Sequence, residues 1–169
     1  MSTYIEKSTV VDTPARQIWD VFADFGGVND WHPYFEKAYL EDEERPRGVG
    51  AARICEFGPK MAIRETVTHW SDNDRMEIAI DFVRGMAPPI RDIIASVRVE
   101  DLEPGQSRLT LTMKYNTRLG PIGWLANKLF VISQYEQVFD NMLPAAKAFA
   151  ETGRAPEQIA MTGSGRMLA

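Results

Sequence analysis

The sequence predicts an α+β fold in which one long C-terminal helix covers the apolar face of an antiparallel sheet, and three observations carry that prediction. From Phe35 to Tyr115, apolar and polar residues alternate at period two, the spacing of half-buried strands. Turn signals at Arg47-Gly48, Gly58-Pro59, Ser71-Asp72-Asn73-Asp74 and Pro104-Gly105 cut that run at hairpin distances, so successive strands pair antiparallel. After Gly120-Pro121 the apolar spacing changes to three and four, and it stays so until Gly153. A sheet with one apolar face needs a cover, and this helix supplies it.

Taken in order, Thr3 to Val11 is rich in Thr, Val, Ile and Tyr and reads as a strand. Thr13 is placed to cap a short helix whose first residue is Pro14, with Ile18, Val21 and Phe22 as its apolar edge and Asp24 and Gly26-Gly27 as its end. Val28 to Tyr34 reads as a second short helix or turn, because Pro33 restricts the residue before it. Met61, Ile63 and Val67 alternate with Ala62, Arg64, Thr66 and Thr68. Met76, Ile78, Ile80 and Phe82, and then Leu109, Leu111, Met113 and Tyr115, repeat the pattern. The long helix runs from Pro121 to about Thr152. Its stripe is Leu125, Leu129, Ile132, Tyr135, Phe139, Met142, Leu143, Ala146 and Phe149, and Lys128, Gln134, Glu136, Gln137, Asp140, Asn141 and Lys147 fall mostly toward water. Pro144 removes a backbone hydrogen bond inside it, so a kink or break is expected there. Residues 1–152 form the expected domain, and 153–169 a loosely held tail.

Composition narrows the function. A chain of 169 residues, 44% hydrophobic, suits one domain with a single sizeable core, and its net charge of −5 disfavours nucleic acid or an anionic membrane as partner. Cys55 is the one cysteine, which fits a reducing compartment. The first residues hold no apolar leader and no window reaches the length of a membrane span, so a cytoplasmic protein without stable membrane insertion, monomer or homodimer, is expected. No nucleophile elbow, phosphate loop or dinucleotide fingerprint occurs. His32 and His69 make no zinc spacing, so neither metal nor cofactor is required.

Glu65 stands out, because it shares the parity of Met61, Ile63 and Val67 and therefore faces the apolar side. An unpaired buried carboxylate is costly. Two explanations remain open at this stage: a bulge or a structural ion pair with Arg84 or Arg64, or a polar anchor in an apolar ligand pocket. His32, between Trp31 and Pro33, suits the mouth of such a cavity and acid–base work, whereas His69 beside Trp70 suits a solvent-facing strand end. Arg84 to Ile90 reads as a loop with exposed apolar residues, a lid over an opening or an inter-strand loop.

Thr13-Pro14-x-x-x-Ile18-Trp19-x-x-Phe22, Asp24-Phe25, Trp31-His32-Pro33, Glu65-x-Val67-x-x-Trp70-Ser71-Asp72 with Arg75, and Gly120-Pro121-Ile122-Gly123, in that order of elements, resemble the START/polyketide-cyclase superfamily (SRPBCC, helix-grip proteins), in its polyketide cyclase/dehydrase and lipid-transport branch. The resemblance covers roughly residues 3 to 151. It implies a seven-stranded antiparallel sheet curled around the helix, with two short helices between strands 1 and 2 and a hydrophobic cavity inside. Trp31, His32, Phe35, Ile63, Glu65, Val67, Ile80, Phe82, Met86, Tyr115, Tyr135 and Phe139 are the expected cavity residues. By similarity to the plant abscisic-acid receptors, His32 falls near a ligand-anchoring lysine that is absent here, Glu65 matches a cavity glutamate, Gly58-Pro59 a gate and Arg84 to Pro88 a latch. Three functions are implied. They are a binder of a small hydrophobic molecule (polyketide, lipid or isoprenoid), a cyclase/dehydrase in which His32 or Glu65 moves protons and Tyr115 or Arg84 stabilises an enolate, and a protein-interaction module using a sheet edge or Met86 to Ile90.

Overall fold

In the computed structural model, which describes residues 2–117 and 131–154, seven strands form one antiparallel sheet. They are β1 (Ser2–Val11), β2 (Lys37–Leu40), β3 (Ala52–Glu56), β4 (Ala62–Ser71), β5 (Arg75–Arg84), β6 (Ile90–Glu103) and β7 (Gln106–Thr117), in the spatial order β1-β7-β6-β5-β4-β3-β2. Helix α1 (Ala15–Ala23) and one 3-10 turn (Val28–Asp30) lie between β1 and β2, and helix α2 (Ile132–Thr152) closes the described chain. This is the helix-grip architecture that the family resemblance implies, with the antiparallel sheet that the alternation and the turn spacing predict.

Period-two burial is clean in β7, where Leu109, Leu111, Met113 and Tyr115 are buried against neighbours that are not. It fails at the start of β4. Ala62, expected to face out, is fully buried, because the β4–β5 register shifts between Ala62 and Ile63 and turns both residues inward.

The α1 start also differs from expectation. Thr13 caps nothing, and its hydroxyl is buried without a hydrogen-bond partner. Instead Asp101, on β6, accepts a hydrogen bond from the Ala15 N–H at 2.8 Å. The freed donor at the helix start is thus satisfied by a side chain distant in sequence.

The α2 stripe buries Phe139, Leu143 and Ala146 and half-buries Ile132, Tyr135, Met142 and Phe149. Gly153 ends the helix at φ +67°, its N–H donating to the Phe149 carbonyl at 2.8 Å. Pro144 does not break it. The residue sits on the exposed side, where the carbonyl it leaves unbonded can meet water. The expected opening at Gly120-Pro121, Leu125, Lys128 and Leu129, and the tail beyond Arg154, lie outside the described residues.

Polar contacts fix α2 along one side of the sheet. Lys147 Nζ donates to the Val10 carbonyl at 2.8 Å and pairs with Asp12 at 3.2 Å, and Lys7 pairs with Asp140 at 2.6 Å. Gln17 Nε2, on α1, donates to the Ala150 carbonyl at 2.8 Å. The close backbone contacts of α2 are accordingly with β1, β7 and α1. Opposite β4, β5 and part of β6 it stands off.

Asp101→Ala should therefore destabilise the protein by about 1 kcal/mol in urea unfolding, the usual value of a lost helix cap. Thr13→Val, which removes a hydroxyl with no partner, should be neutral or stabilising in the same measurement.

Candidate functional site: an apolar cavity with one buried ion pair

The space between α2 and the far strands is a cavity of about 370 Å³. Ile63 and Glu65 enter it from β4, Ile80 and Phe82 from β5, Ile93 and Ala95 from β6 and Met113 from β7. Across from them stand Gln134, Tyr135, Val138, Phe139 and Met142 of α2, preceded by Val131. His32, Tyr34 and Phe35 line it from the segment before β2, and Phe57 packs edge-on against Phe35 with ring centroids 4.8 Å apart. Phe57 and Met61 of the β3–β4 loop and Met86, Ala87, Pro88 and Pro89 of the β5–β6 loop complete the lining.

Those last two loops are held close by a glycine and an ion pair. Gly85 has φ +90°, and a Cβ there would lie 2.6 Å from the Lys60 carbonyl oxygen, so only glycine permits this approach. Arg84 Nη2 pairs with Glu56 Oε1 at 3.0 Å alongside.

Nine of the twelve expected cavity residues line this space: His32, Phe35, Ile63, Glu65, Ile80, Phe82, Met86, Tyr135 and Phe139. Three do not. Trp31 packs edge-on against Phe22 with ring centroids 4.7 Å apart, its indole N–H buried without a partner. Val67 is buried in the main core. Tyr115 is fully buried behind Tyr135, centroids 5.7 Å apart. Gln134 corrects the reading of α2, since it faces the cavity and not bulk water. Tyr34, Phe57, Ala95 and Val138 were not anticipated either. The helical spacing of Val138 beside Tyr135, Phe139 and Met142 was the available signal for that residue.

Glu65 is only 7% exposed, yet its partner is neither Arg84, bound to Glu56, nor Arg64, which pairs with Glu41 at 2.6 Å. The partner is Arg53 on β3, itself 6% exposed. Nε and Nη2 of Arg53 donate to Glu65 Oε2 at 2.7 and 2.6 Å, and Nη1 donates to the Phe25 carbonyl at 2.6 Å. The guanidinium carbon lies 3.9 Å over the Phe25 ring. The Cys55 thiol adds a weak hydrogen bond to the same Oε2 at 3.7 Å. All three contacts converge on one carboxylate oxygen, so Glu65 Oε1 has no hydrogen-bond partner among the described residues. The pair was legible in principle: Arg53 and Glu65 face each other across β3 and β4 and lie equidistant in sequence from the turn residue Pro59.

His32 is 5% exposed and stacks on Phe35, ring centroids 3.7 Å apart and planes 6° from parallel. Its Nδ1 accepts a hydrogen bond from the Tyr34 N–H at 3.3 Å. Burial, and secondarily the Arg53 charge, holds its pKa well below the usual 6.5, so the imidazole is neutral. Burial likewise raises the Cys55 thiol, helped by the Glu65 charge, which leaves it unreactive. It raises Tyr34 and Tyr135 as well, keeping both phenols protonated. The Tyr34 hydroxyl is hydrogen-bonded to Asn141 of α2.

His69 is half-buried, its Nε2 3.5 Å from Arg75 Nη2, and lies off the cavity wall. Met86 is 84% exposed, but Ile90 is 4% exposed and begins β6, so the expected apolar loop surface narrows to its first half. No three His, Cys, Asp or Glu side chains converge for a metal among the described residues. No helix among them is long and apolar enough to cross a membrane.

A sequence model described as "Polyketide cyclase / dehydrase and lipid transport" matches residues 2–151. The chain belongs to that family. Among curated protein sequences none matches it significantly. Solved structures similar in fold include a norcoclaurine synthase mutant from Thalictrum flavum in complex with a transition-state analogue, at 14% identity over 90% of this chain and 96% of that one, TM-score 0.70. Another is the Zhui aromatase/cyclase from Streptomyces sp. R1128, at 23% identity over 89% and 94%, TM-score 0.62. A third is the protein XoxI from Bacillus cereus, at 16% identity over 89% and 96%, TM-score 0.69. At these identities the likeness is one of fold.

Two predictions follow from the buried pair and the buried imidazole. Arg53→Met or Glu65→Leu alone leaves an uncompensated buried charge and should cost about 3–5 kcal/mol in denaturant unfolding, whereas the double variant should return close to wild-type stability. For His32, a folded pKa below the unfolded value means that the unfolded chain binds the extra proton. Its contribution is thus complete above about pH 6.5 and is lost as pH falls below that value, by at most about 1.4 kcal/mol per pH unit. His32→Asn keeps an acceptor for the Tyr34 N–H and removes the titration. The stability of wild type relative to this variant should therefore fall between pH 7 and 5.

Proposed function

We propose that this protein binds a small hydrophobic molecule, of polyketide, lipid or isoprenoid type, in the cavity between α2 and the sheet. The observation that carries this reading is the hollow itself, about 370 Å³, whose walls among the described residues are almost wholly aliphatic and aromatic with one charged side chain on them. That volume falls within the range of small-molecule sites, about 300–1,000 Å³, and the composition is typical of them. Burying about 200 Å² of ligand apolar surface there would contribute about 5 kcal/mol before the entropy of association is subtracted. The family description, with lipid transport in it, supports the same reading.

A cyclase remains the second reading because His32, a neutral base, and Glu65 both line the cavity. The other two residues expected to take part do not join them: Tyr115 is behind Tyr135, and Arg84 is half-exposed on Glu56. A cyclase would convert a linear poly-β-ketone with a rate that His32→Asn abolishes. Equal rates in the two proteins would end that reading.

For the binder, N-phenyl-1-naphthylamine, a neutral apolar fluorophore, should bind with a blue shift. Ala95→Phe, which fills the hollow from β6, should weaken it by about ten-fold or more, the equivalent of roughly 1.4 kcal/mol. An unchanged dissociation constant in Ala95→Phe would place the dye elsewhere and remove the proposal.

A further inference from the structure

Among the described residues the cavity wall holds one charged side chain, Glu65, and the charge that neutralises it stands behind the wall and not on it. Arg53 does not line the hollow. Its three donor nitrogens are committed to Glu65 Oε2 and the Phe25 carbonyl, and its face is covered by the Phe25 ring. The guanidinium N–H groups that these contacts do not use belong to a side chain that stands off the cavity wall, so none is offered there to an acid. Among the described residues the carboxylate is paired through Oε2 only, which leaves Oε1 as an acceptor on the wall of a largely apolar space. His32, which also lines the cavity, carries no charge.

Resting on the binding reading above, we infer that the cavity selects an uncharged ligand bearing a hydroxyl group, and rejects both carboxylates and ammonium ions of the same shape, with Arg53 as the residue that sets this selection. A hydroxyl can donate to Glu65 Oε1 and gain a hydrogen bond to a charged acceptor at little desolvation cost. A carboxylate ligand would bring a second anion against Glu65, and the donors that the described wall holds, the Tyr135 hydroxyl and the Gln134 amide, carry no positive charge to receive it. An ammonium ion meets a carboxylate already neutralised, so it loses its water without gaining an unshared countercharge. Arg53 acts through Glu65 and touches no ligand, which makes it a positioning residue.

The test is displacement of N-phenyl-1-naphthylamine at pH 7.5 by four probes of one shape: 2-naphthol, 2-methylnaphthalene, 2-naphthoate and protonated 2-(aminomethyl)naphthalene. On the wild-type protein 2-naphthol should bind about three- to ten-fold tighter than 2-methylnaphthalene. Both ions should bind about ten-fold or more weaker than 2-naphthol. Glu65→Gln leaves the guanidinium without its countercharge, so the ratio of 2-naphthoate to 2-naphthol affinity should rise about ten-fold or more. Should that variant fail to fold, Arg53→Met/Glu65→Leu removes both charges, and the advantage of 2-naphthol over 2-methylnaphthalene should then fall to about one. Either ion binding as tightly as 2-naphthol, or a hydroxyl advantage that persists in the double variant, overturns the selection and leaves the binding reading intact. If neither the dye nor any of the four probes binds, the binding reading falls and the selection goes with it.

Discussion

The hollow exists because α2 is fastened at one side of a sheet too wide for a single helix to cover. Lys147, Lys7 and Gln17 tie the helix and its neighbour α1 along β1 and β7, by contacts that are polar and partly exposed. Surface ion pairs of this kind contribute little stability each, about 0–1 kcal/mol, so their effect is placement more than strength. The apolar stripe of α2 then packs on the sheet through Phe139 and Leu143, while Tyr135, Val138 and Met142 line the hollow. A helix centred on the sheet would have filled that gap with side chains.

A cavity walled by apolar groups has a low local dielectric, and that governs every ionisable group beside it. His32 stays neutral, Cys55 stays protonated, and Glu65 is tolerated because Arg53 meets it through Nε and Nη2 while the Phe25 carbonyl accepts from Nη1. Such a pair is weak evidence for stability, since a well-packed apolar pair often does as well. Its asymmetry is more informative. Among the described residues one carboxylate oxygen takes every contact and the other takes none.

Much of this was legible residue by residue. Parity alone put Glu65 on the apolar face with Ile63 and Val67, and helical spacing put Tyr135 and Phe139 on the inner stripe. The partner of Glu65 was missed because it depends on the pairing of β3 with β4, and a one-residue slip would have set a different residue opposite. The cap of α1 was missed for a related reason: Thr13 is a good capping residue by type, but the chain delivers Asp101 to that helix end from β6. Tyr115 was expected on the cavity because its alternation is correct. It is inward-facing, as predicted, but Tyr135 stands between it and the space.

The sequence by itself determined the strands, their antiparallel order and the terminal helix, because these follow from periodicity and turn chemistry acting over a few residues. It also determined that a carboxylate would face inward. Only the tertiary structure decided that Arg53 would answer it, that one of its oxygens would remain open, and that the interior would be hollow and not filled. Those outcomes depend on distances between elements far apart in the chain, which no local pattern of residues encodes.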